Sequence, residues 1–322
     1  MFKRPALLAL LLVVLAAAPA AAHDKLAPDT KTPKAVDLVI CLDTSGSMSG
    51  LIHAARQKLW SVVNELALLK PEPRLRVALL TFGSPGKGTK PGDVIIQTGL
   101  TTDLDLVSEK LFALGTNGGT ELVGRVMHYA LKDLDWAKDA GLKTLFVAGN
   151  ESADQDKERR FLDVARQAQA RGIYVNAIYC GGADDGDAKS WRELAALNGR
   201  FSNIDHNRGT VSVVTPFDKK LAALSGKLNK TYVFYGAERL KRESRQHAQD
   251  ANATKAGAPA AAQRAEAKAG SGYAAPGDLV GRLKEKDFDA GKLKDEELPE
   301  PMRKLSPDER KAYLAEKAVA RA

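Results

Sequence analysis

Cysteine and histidine are scarce in this sequence of 322 residues, which has two cysteines and five histidines. A domain of this size does not need disulfide bonds, and Cys41 and Cys180 both lie in apolar runs typical of buried strands. We therefore predict two buried thiols. No histidine has a second ligand at metal-binding spacing, so a histidine-based metal centre is not expected.

Catalytic signatures are also missing from the sequence. It contains no G-x-S-x-G, no glycine-rich phosphate-binding loop and no H-E-x-x-H. The net charge of +8 is mildly basic and does not by itself indicate a nucleic-acid partner. The basic stretch Arg239–Arg245 has no interleaved aromatic residues and is predicted to be a solvated helical face. We therefore expect neither an enzyme nor a nucleic-acid-binding protein.

Only one hydrophobic run is long enough to suggest a targeting segment, and it lies at the N terminus. Lys3 and Arg4 precede the apolar run 6–18, and the alanines at 20–22 give an A-x-A cleavage signal. Residues 1–22 are therefore predicted to be a signal peptide, and the mature chain is predicted to be exported to the periplasm or the extracellular space. An uncleaved membrane anchor is the alternative, although the run is short for a span of ~20 residues.

After a polar, proline-containing linker over 23–35, apolar runs alternate with segments of helical periodicity. This alternation predicts an α/β fold, with a doubly wound, mostly parallel six-stranded sheet and one antiparallel edge strand, the third. In such folds ligands bind at the carboxyl ends of the strands. The strands are predicted over 36–42, 75–82, 94–100, 142–148, 173–180 and 199–205, and the helices over 52–69, 104–114, 121–134, 156–171, 189–198 and 216–228.

The composition changes beyond residue 235, so we predict a domain over 36–235 followed by a tail over 236–322. Residues 241–275 are rich in Ala, Gln, Lys and Arg and are expected to be weakly helical or disordered. Ser306 begins a capping box with proline at the next position, which predicts a terminal helix. We expect the tail to be separable from the domain and to make at most weak contact with an anionic envelope surface.

One pentapeptide carries metal-binding chemistry. Asp43-Thr44-Ser45-Gly46-Ser47 follows the first predicted strand, and its carboxylate and two hydroxyls can converge in a tight loop that Gly46 permits. These hard oxygen ligands suit Mg²⁺, Mn²⁺ or Ca²⁺ and do not suit zinc. A plain helix cap made of the same residue types is the alternative.

The segment 36–48, VDLVICLDTSGSM, resembles the first strand and metal loop of the von Willebrand factor type A family. The D-x-S-x-S pattern is that family's metal-ion-dependent adhesion site, and the segment 117–121, NGGTE, resembles its second loop, where a threonine supplies another oxygen. The resemblance spans roughly 36–235, and the loops look like those of a bacterial exported subgroup. It implies four metal ligands, bound directly or through water: Asp43, Ser45, Ser47 and Thr120. The family's sheet order, in which the fourth strand separates the first from the fifth, also implies that Cys41 and Cys180 are not bonded to each other.

The third loop departs from the family pattern. Family members commonly end the fourth strand in Asp-Gly, with the aspartate near the metal, whereas Gly149 stands at that position in this chain. Asn150 or Glu151 could contribute an oxygen instead. Otherwise the site has one acidic ligand, which predicts weaker ion binding and more positive charge left for a partner's carboxylate.

The resemblance implies a binding module in which the metal is completed by a Glu or Asp of a protein partner. Two alternatives stay open. A structural scaffold with a degenerate site is favoured by Gly149. A metal-dependent hydrolase is less favoured, because it needs a general base and the sequence offers only Glu151 and Glu121.

Overall fold

The computed structural model describes residues 35–69, 73–84, 93–204, 216–270, 273 and 275–322. The predicted signal peptide and most of the linker lie outside these residues, as does much of the loop that precedes the third strand. Residues Pro33–Ala322 form one compact unit. Within the described ranges, no helix combines the length and the apolar character that crossing a membrane requires.

The described chain is built on a six-stranded sheet with the strand order β3-β2-β1-β4-β5-β6. β3 runs antiparallel to β2, and the other pairs are parallel. The fold class predicted from the sequence is therefore confirmed. The strands are β1 Ala35–Asp43, β2 Arg74–Phe82, β3 Ile95–Thr101, β4 Leu142–Gly149, β5 Ile173–Tyr179 and β6 Phe201–Asn203.

Helices cover both faces of the sheet. All nine residues of β1 are buried, because this strand lies in the centre and feeds side chains alternately into two cores. Leu38 and Ile40 point to one face and Val39 to the other. The first face carries α1 Ile52–Ala67 and α2 Leu104–Ala113, and the second carries α3 Val123–Asp133, α4 Phe161–Ala170 and α5 Ala188–Ala195.

The two cysteines are buried and free, as predicted. Cys41 lies on β1 and Cys180 directly after β5, and β4 separates these two strands. The two side chains also belong to opposite cores of the sheet. A disulfide between them is therefore excluded by distance and by direction.

The fourth helix begins later than the sequence predicts. The periodic pattern indicates a helix from Asp156, but α4 starts at Phe161. The Asp156 carboxylate accepts hydrogen bonds of 3.0 Å from the backbone amides of Glu158 and Arg159. This local turn satisfies the backbone with a side chain and so delays the helix, as aspartate commonly does.

The C-terminal part contains more ordered helix than its composition suggests. The sequence predicts weak helicity or disorder over 241–275, whereas two helices, α7 and α8, occupy most of that range. The capping box at Ser306 is confirmed. The helices are α6 Asp218–Asn229, α7 Arg239–Ala256, α8 Ala258–Ala269, α9 Leu279–Arg282 and α10 Pro307–Arg321.

Buried charges join α7 and α8 to α2. The Arg264 guanidinium donates to Asp105 of α2 at 2.8 Å and also pairs with Asp250 of α7, and Arg264 is 3% exposed. Lys268 contacts the same Asp250 at 2.7 Å. Arg245, predicted on a solvated face, instead pairs with Asp103 at 2.9 Å and has a side chain 9% exposed.

The composition changes near residue 236, but contacts between side chains continue across that position. Arg245 and Arg264 beyond it pair with acids of the predicted domain. The separability of the tail remains a prediction for experiment.

Candidate metal site

Three loops meet at the carboxyl ends of the central strands. The first loop continues from β1 through a short 3-10 helix, Gly46–Gly50, and is anchored by the fully buried Met48. The Thr44 amide donates to the carbonyl of Phe82 at the end of β2. Gly46 donates to the carbonyl of Gly118 in the second loop at 3.0 Å. These backbone bonds hold the first and second loops in a fixed relation.

Asp43 forms the base of the site. Its side chain is fully buried, and its Oδ1 accepts a 2.8 Å hydrogen bond from the Ser45 amide. Its Oδ2 is buried and has no hydrogen-bond partner among the described residues. Burial, and then the neighbouring Glu121 carboxylate, raise the pKa of the Asp43 carboxyl well above its usual range. An orphaned, buried carboxylate oxygen needs either a proton or a cation.

Near Asp43, the side-chain oxygens that can accept hydrogen bonds outnumber the hydroxyl protons that can be donated to them. The hydroxyls of Ser45 and Ser47 lie 2.8 Å apart. The Ser47 hydroxyl is also 3.1 Å from Glu121 Oε1 and 3.1 Å from Asn150 Oδ1. The Ser47 hydroxyl has one proton and can donate it to only one of these two acceptors. The donor set of carboxylate, hydroxyl and amide oxygens therefore fits a hard divalent cation such as Mg²⁺, Mn²⁺ or Ca²⁺.

The surroundings of Gly149 in the third loop are crowded, which bears on the absence of an aspartate at this position. A Cβ at Gly149 would lie 3.1 Å from two ring atoms of Trp191 and 3.2 Å from the Cβ of Asp43. The indole of Trp191 donates to the carbonyl of Glu151 at 2.7 Å, which fixes the ring against this loop. A side chain at Gly149 would therefore require Trp191 or Asp43 to shift.

Four of the six residues predicted as ligands lie close together in the structure: Asp43, Ser45, Ser47 and Asn150. Thr120 lies at the rim, where its backbone bridges to Gly83, and its side chain has no hydrogen-bond partner within the described ranges. The Glu151 carboxylate accepts a 2.9 Å hydrogen bond from Gln155 and makes no hydrogen bond to the site's hydroxyls among the described residues.

Glu121 is the residue that the ligand prediction missed. It directly follows Thr120 in the second loop, and this adjacency was the available signal. Its carboxylate makes the Ser47 contact described above and lies within hydrogen-bonding reach of Asp43 and Ser45. Burial raises the pKa of Glu121. No cluster of three or more His, Cys, Asp or Glu side chains occurs in the part of the chain described, so the site is built on two acids and neutral oxygens.

Gly83, just after β2, leaves room for the Asp43 carboxylate. Its φ of 82° is in the left-handed region, and a Cβ there would lie 2.4 Å from Asp43 Oδ1. We expect Gly83→Ala to destabilise the fold by roughly 1–3 kcal/mol and to weaken Mn²⁺ binding, because Asp43 must move. Calorimetric titration and thermal melts measure both effects.

The control for this change is Gly119→Ala in the neighbouring second loop. Gly119 is exposed, and a Cβ there would meet no atom within 4 Å. This variant should bind Mn²⁺ as the unmodified protein does. Equal losses of Mn²⁺ affinity in the two variants would contradict the conclusion that Gly83 leaves the room that the Asp43 carboxylate needs.

Comparison with known proteins adds a family match. The family model of the von Willebrand factor type A domain matches residues 37–213, more than half of the chain. No curated protein matches the chain.

Several solved structures are similar to the chain at low identity. The SpRpn10 VWA domain is 14% identical with a TM-score of 0.42, covering 54% of this chain and 90% of its own. A von Willebrand factor type A protein from Catenulispora acidiphila is 22% identical with a TM-score of 0.42, covering 54% and 40%. The manganese-loaded TRAP protein of Plasmodium vivax is 18% identical with a TM-score of 0.40, covering 54% and 70%. Similarity at this level says nothing about the ligands or partners of the present chain.

Proposed function

The chain belongs to the von Willebrand factor type A domain family, and from this premise we propose that it is an exported, non-enzymatic binding module whose loops hold a divalent cation for a partner protein's carboxylate. The observation that carries the proposal is the orphaned Oδ2 of Asp43, buried beneath an excess of oxygen acceptors. A cation of the Mg²⁺, Mn²⁺ or Ca²⁺ type would supply the positive charge and the open coordination position that a carboxylate requires.

The arrangement of the loops supports access from one side. Asp43 and Ser45 are fully buried, whereas Gly46, Ser47 and Gly119 are exposed. The carboxylate at the base would hold the ion, and the hydroxyl of Ser47 would lie at the mouth. A partner's Glu or Asp would approach over this exposed rim, where the Thr120 hydroxyl is free of other hydrogen bonds in the described chain.

The hydrolase alternative is less well supported by the same residues. A general base must reach a proton of the attacking water at hydrogen-bond distance. Glu121 is 2% exposed and lies among the site's own hydroxyls, and Glu151 is engaged by Gln155. Neither acid is presented to a substrate at the open rim.

A paramagnetic ion tests the proposal directly. Mn²⁺ bound with open positions should enhance the relaxation of water protons, and a short peptide containing one glutamate should lower that enhancement by displacing water. The matched peptide with glutamine in place of glutamate is the control and should have little effect.

Each alternative has its own outcome in this experiment. Absence of Mn²⁺ binding would support the degenerate scaffold. Binding of Mn²⁺ with equal responses to the two peptides would contradict the carboxylate bridge. Turnover of generic ester or phosphate substrates by the Mn²⁺-loaded protein would support the hydrolase.

A further inference from the structure

We infer that Glu121 is a direct metal ligand and supplies the second carboxylate that the third loop of this chain lacks. The inference rests on the proposed function for the presence of the metal itself. It concerns which residues complete the site and how much negative charge the protein provides.

The backbone places Glu121 inside the site. The preceding residue, Thr120, pairs with Gly83 in an isolated β-bridge, and Gly83 in turn lies against Asp43. The chain therefore enters α3 next to the base of the first loop. Glu121 is 2% exposed, and its Oε1 is 3.1 Å from the Ser47 hydroxyl. Its carboxylate thus points into the cradle formed by the first loop and not toward solvent.

Among the described residues, no Lys or Arg forms an ion pair with Glu121 or with Asp43, so neither acid has a cationic partner there that would give it a structural role. Two neighbouring buried carboxylates repel each other and lose their hydration, an arrangement that proteins tolerate mainly around a proton or a metal ion. The unpartnered Oδ2 of Asp43 is a second, independent sign that a cation belongs between them.

The crowding at Gly149 explains why the second acid comes from the second loop. A Cβ at Gly149 would crowd Trp191 and Asp43, so a carboxylate at that position would require one of these side chains to shift. Glutamate is one methylene longer than aspartate, and the Glu121 carboxylate reaches the Ser47 hydroxyl from the second loop. The protein then contributes two negative charges to a divalent ion, and ion binding does not depend on the partner's acid.

The test compares Glu121→Gln with Asp154→Asn, which removes the same charge from a half-exposed side chain that pairs with Lys157. We expect Glu121→Gln to weaken Mn²⁺ and Mg²⁺ binding by about tenfold or more in calorimetric titration, since altering a group that only supports a metal ligand already costs that much. Asp154→Asn should weaken binding by less than about threefold, since an exposed charge at that distance is largely screened.

Thermal melts in EDTA separate a ligand from a structural residue. If Glu121 is a ligand, Glu121→Gln should melt no lower than the unmodified protein without metal, because it relieves the repulsion with Asp43. It should also lose most of the melting shift that Mg²⁺ produces. A structural Glu121 would instead give a lower melting temperature in EDTA.

The failures of the two proposals are distinguishable. Unmodified protein that binds no Mn²⁺ would overturn the proposed function, and the ligand assignment with it. Unmodified protein and Glu121→Gln that bind Mn²⁺ equally well would overturn the ligand assignment alone.

Discussion

Replacing Asp43 with alanine is expected to abolish binding of Mg²⁺, Mn²⁺ and Ca²⁺ while the domain remains folded. Asp43 is the carboxylate at the base of the site, and its Oδ2 is buried without a hydrogen-bond partner among the described residues. The Asp43 side chain is fully buried at the end of β1. The domain should remain folded because the loss of this side chain has two opposing effects on stability that offset each other.

The first effect destabilises the variant and the second stabilises it. Alanine leaves the Ser45 amide without its 2.8 Å acceptor, which costs about 1–3 kcal/mol. It also removes a buried carboxylate that lies beside Glu121, and so relieves a desolvated charge. Asp43→Asn keeps an acceptor for Ser45 without the charge, and it should therefore fold well and still bind no metal.

Calorimetry and thermal melts measure this prediction. In the unmodified protein, a cation at a hundredfold excess over its dissociation constant should stabilise the fold by about 2.7 kcal/mol. Both Asp43 variants should show no binding heat and no stabilisation. Thr120→Ala should weaken binding less, because it removes one neutral oxygen.

Asp154→Ala serves as the control for the loss of an acid near these loops. Its side chain is 50% exposed and pairs with Lys157 at the surface, so metal binding should be unchanged. If Asp43→Ala still binds Mn²⁺ with the affinity of the unmodified protein, the assignment of Asp43 as a ligand is wrong.

Replacing Arg264 with methionine is expected to destabilise the whole described domain by about 3–5 kcal/mol, the usual cost of removing one partner from a buried ion pair. Arg264 of α8 is 3% exposed and bonds both Asp105 of α2 and Asp250 of α7. Its removal leaves Asp105 beside the Tyr273 hydroxyl and without its cation. Methionine fills part of the volume that Arg264 occupied, so the loss of stability comes mainly from the missing positive charge.

Denaturant unfolding at equilibrium measures this loss. The control is Arg166→Met on α4, where the arginine pairs with Asp163 and both side chains are 58% exposed. An exposed pair of this kind contributes about 0–1 kcal/mol. Similar small losses in the two variants would mean that the buried network does not hold α8 to the domain, as expected for a separable tail.

The same network bears on the predicted contact with an anionic surface. Arg245, Arg264 and Lys268 all have side chains less than 10% exposed and are paired with acids. They therefore contribute little to an external field, and the tail is less basic at its surface than its composition indicates. A weak contact with an anionic envelope remains a prediction.

The sequence by itself determined the sheet and the first loop of the site. A central parallel strand buries both faces, so the sequence of β1 is a nearly continuous apolar run, interrupted by Asp37, and is recognisable without any partner strand. Asp43, Ser45 and Ser47 lie within five residues, and their convergence is a property of one tight turn. Structural features that depend on a few neighbouring residues can be recognised directly from the sequence.

Only the tertiary structure decided which side chains distant in the sequence come into contact. Glu121 meets Ser47 across 74 positions of the chain, and Trp191 occupies the space beside Gly149 from 42 residues further on. Arg264 becomes a buried residue only because α8 places it against Asp105 of α2. Burial of a charge depends on whether another part of the fold supplies its counter-ion, and no local periodicity or composition encodes that pairing.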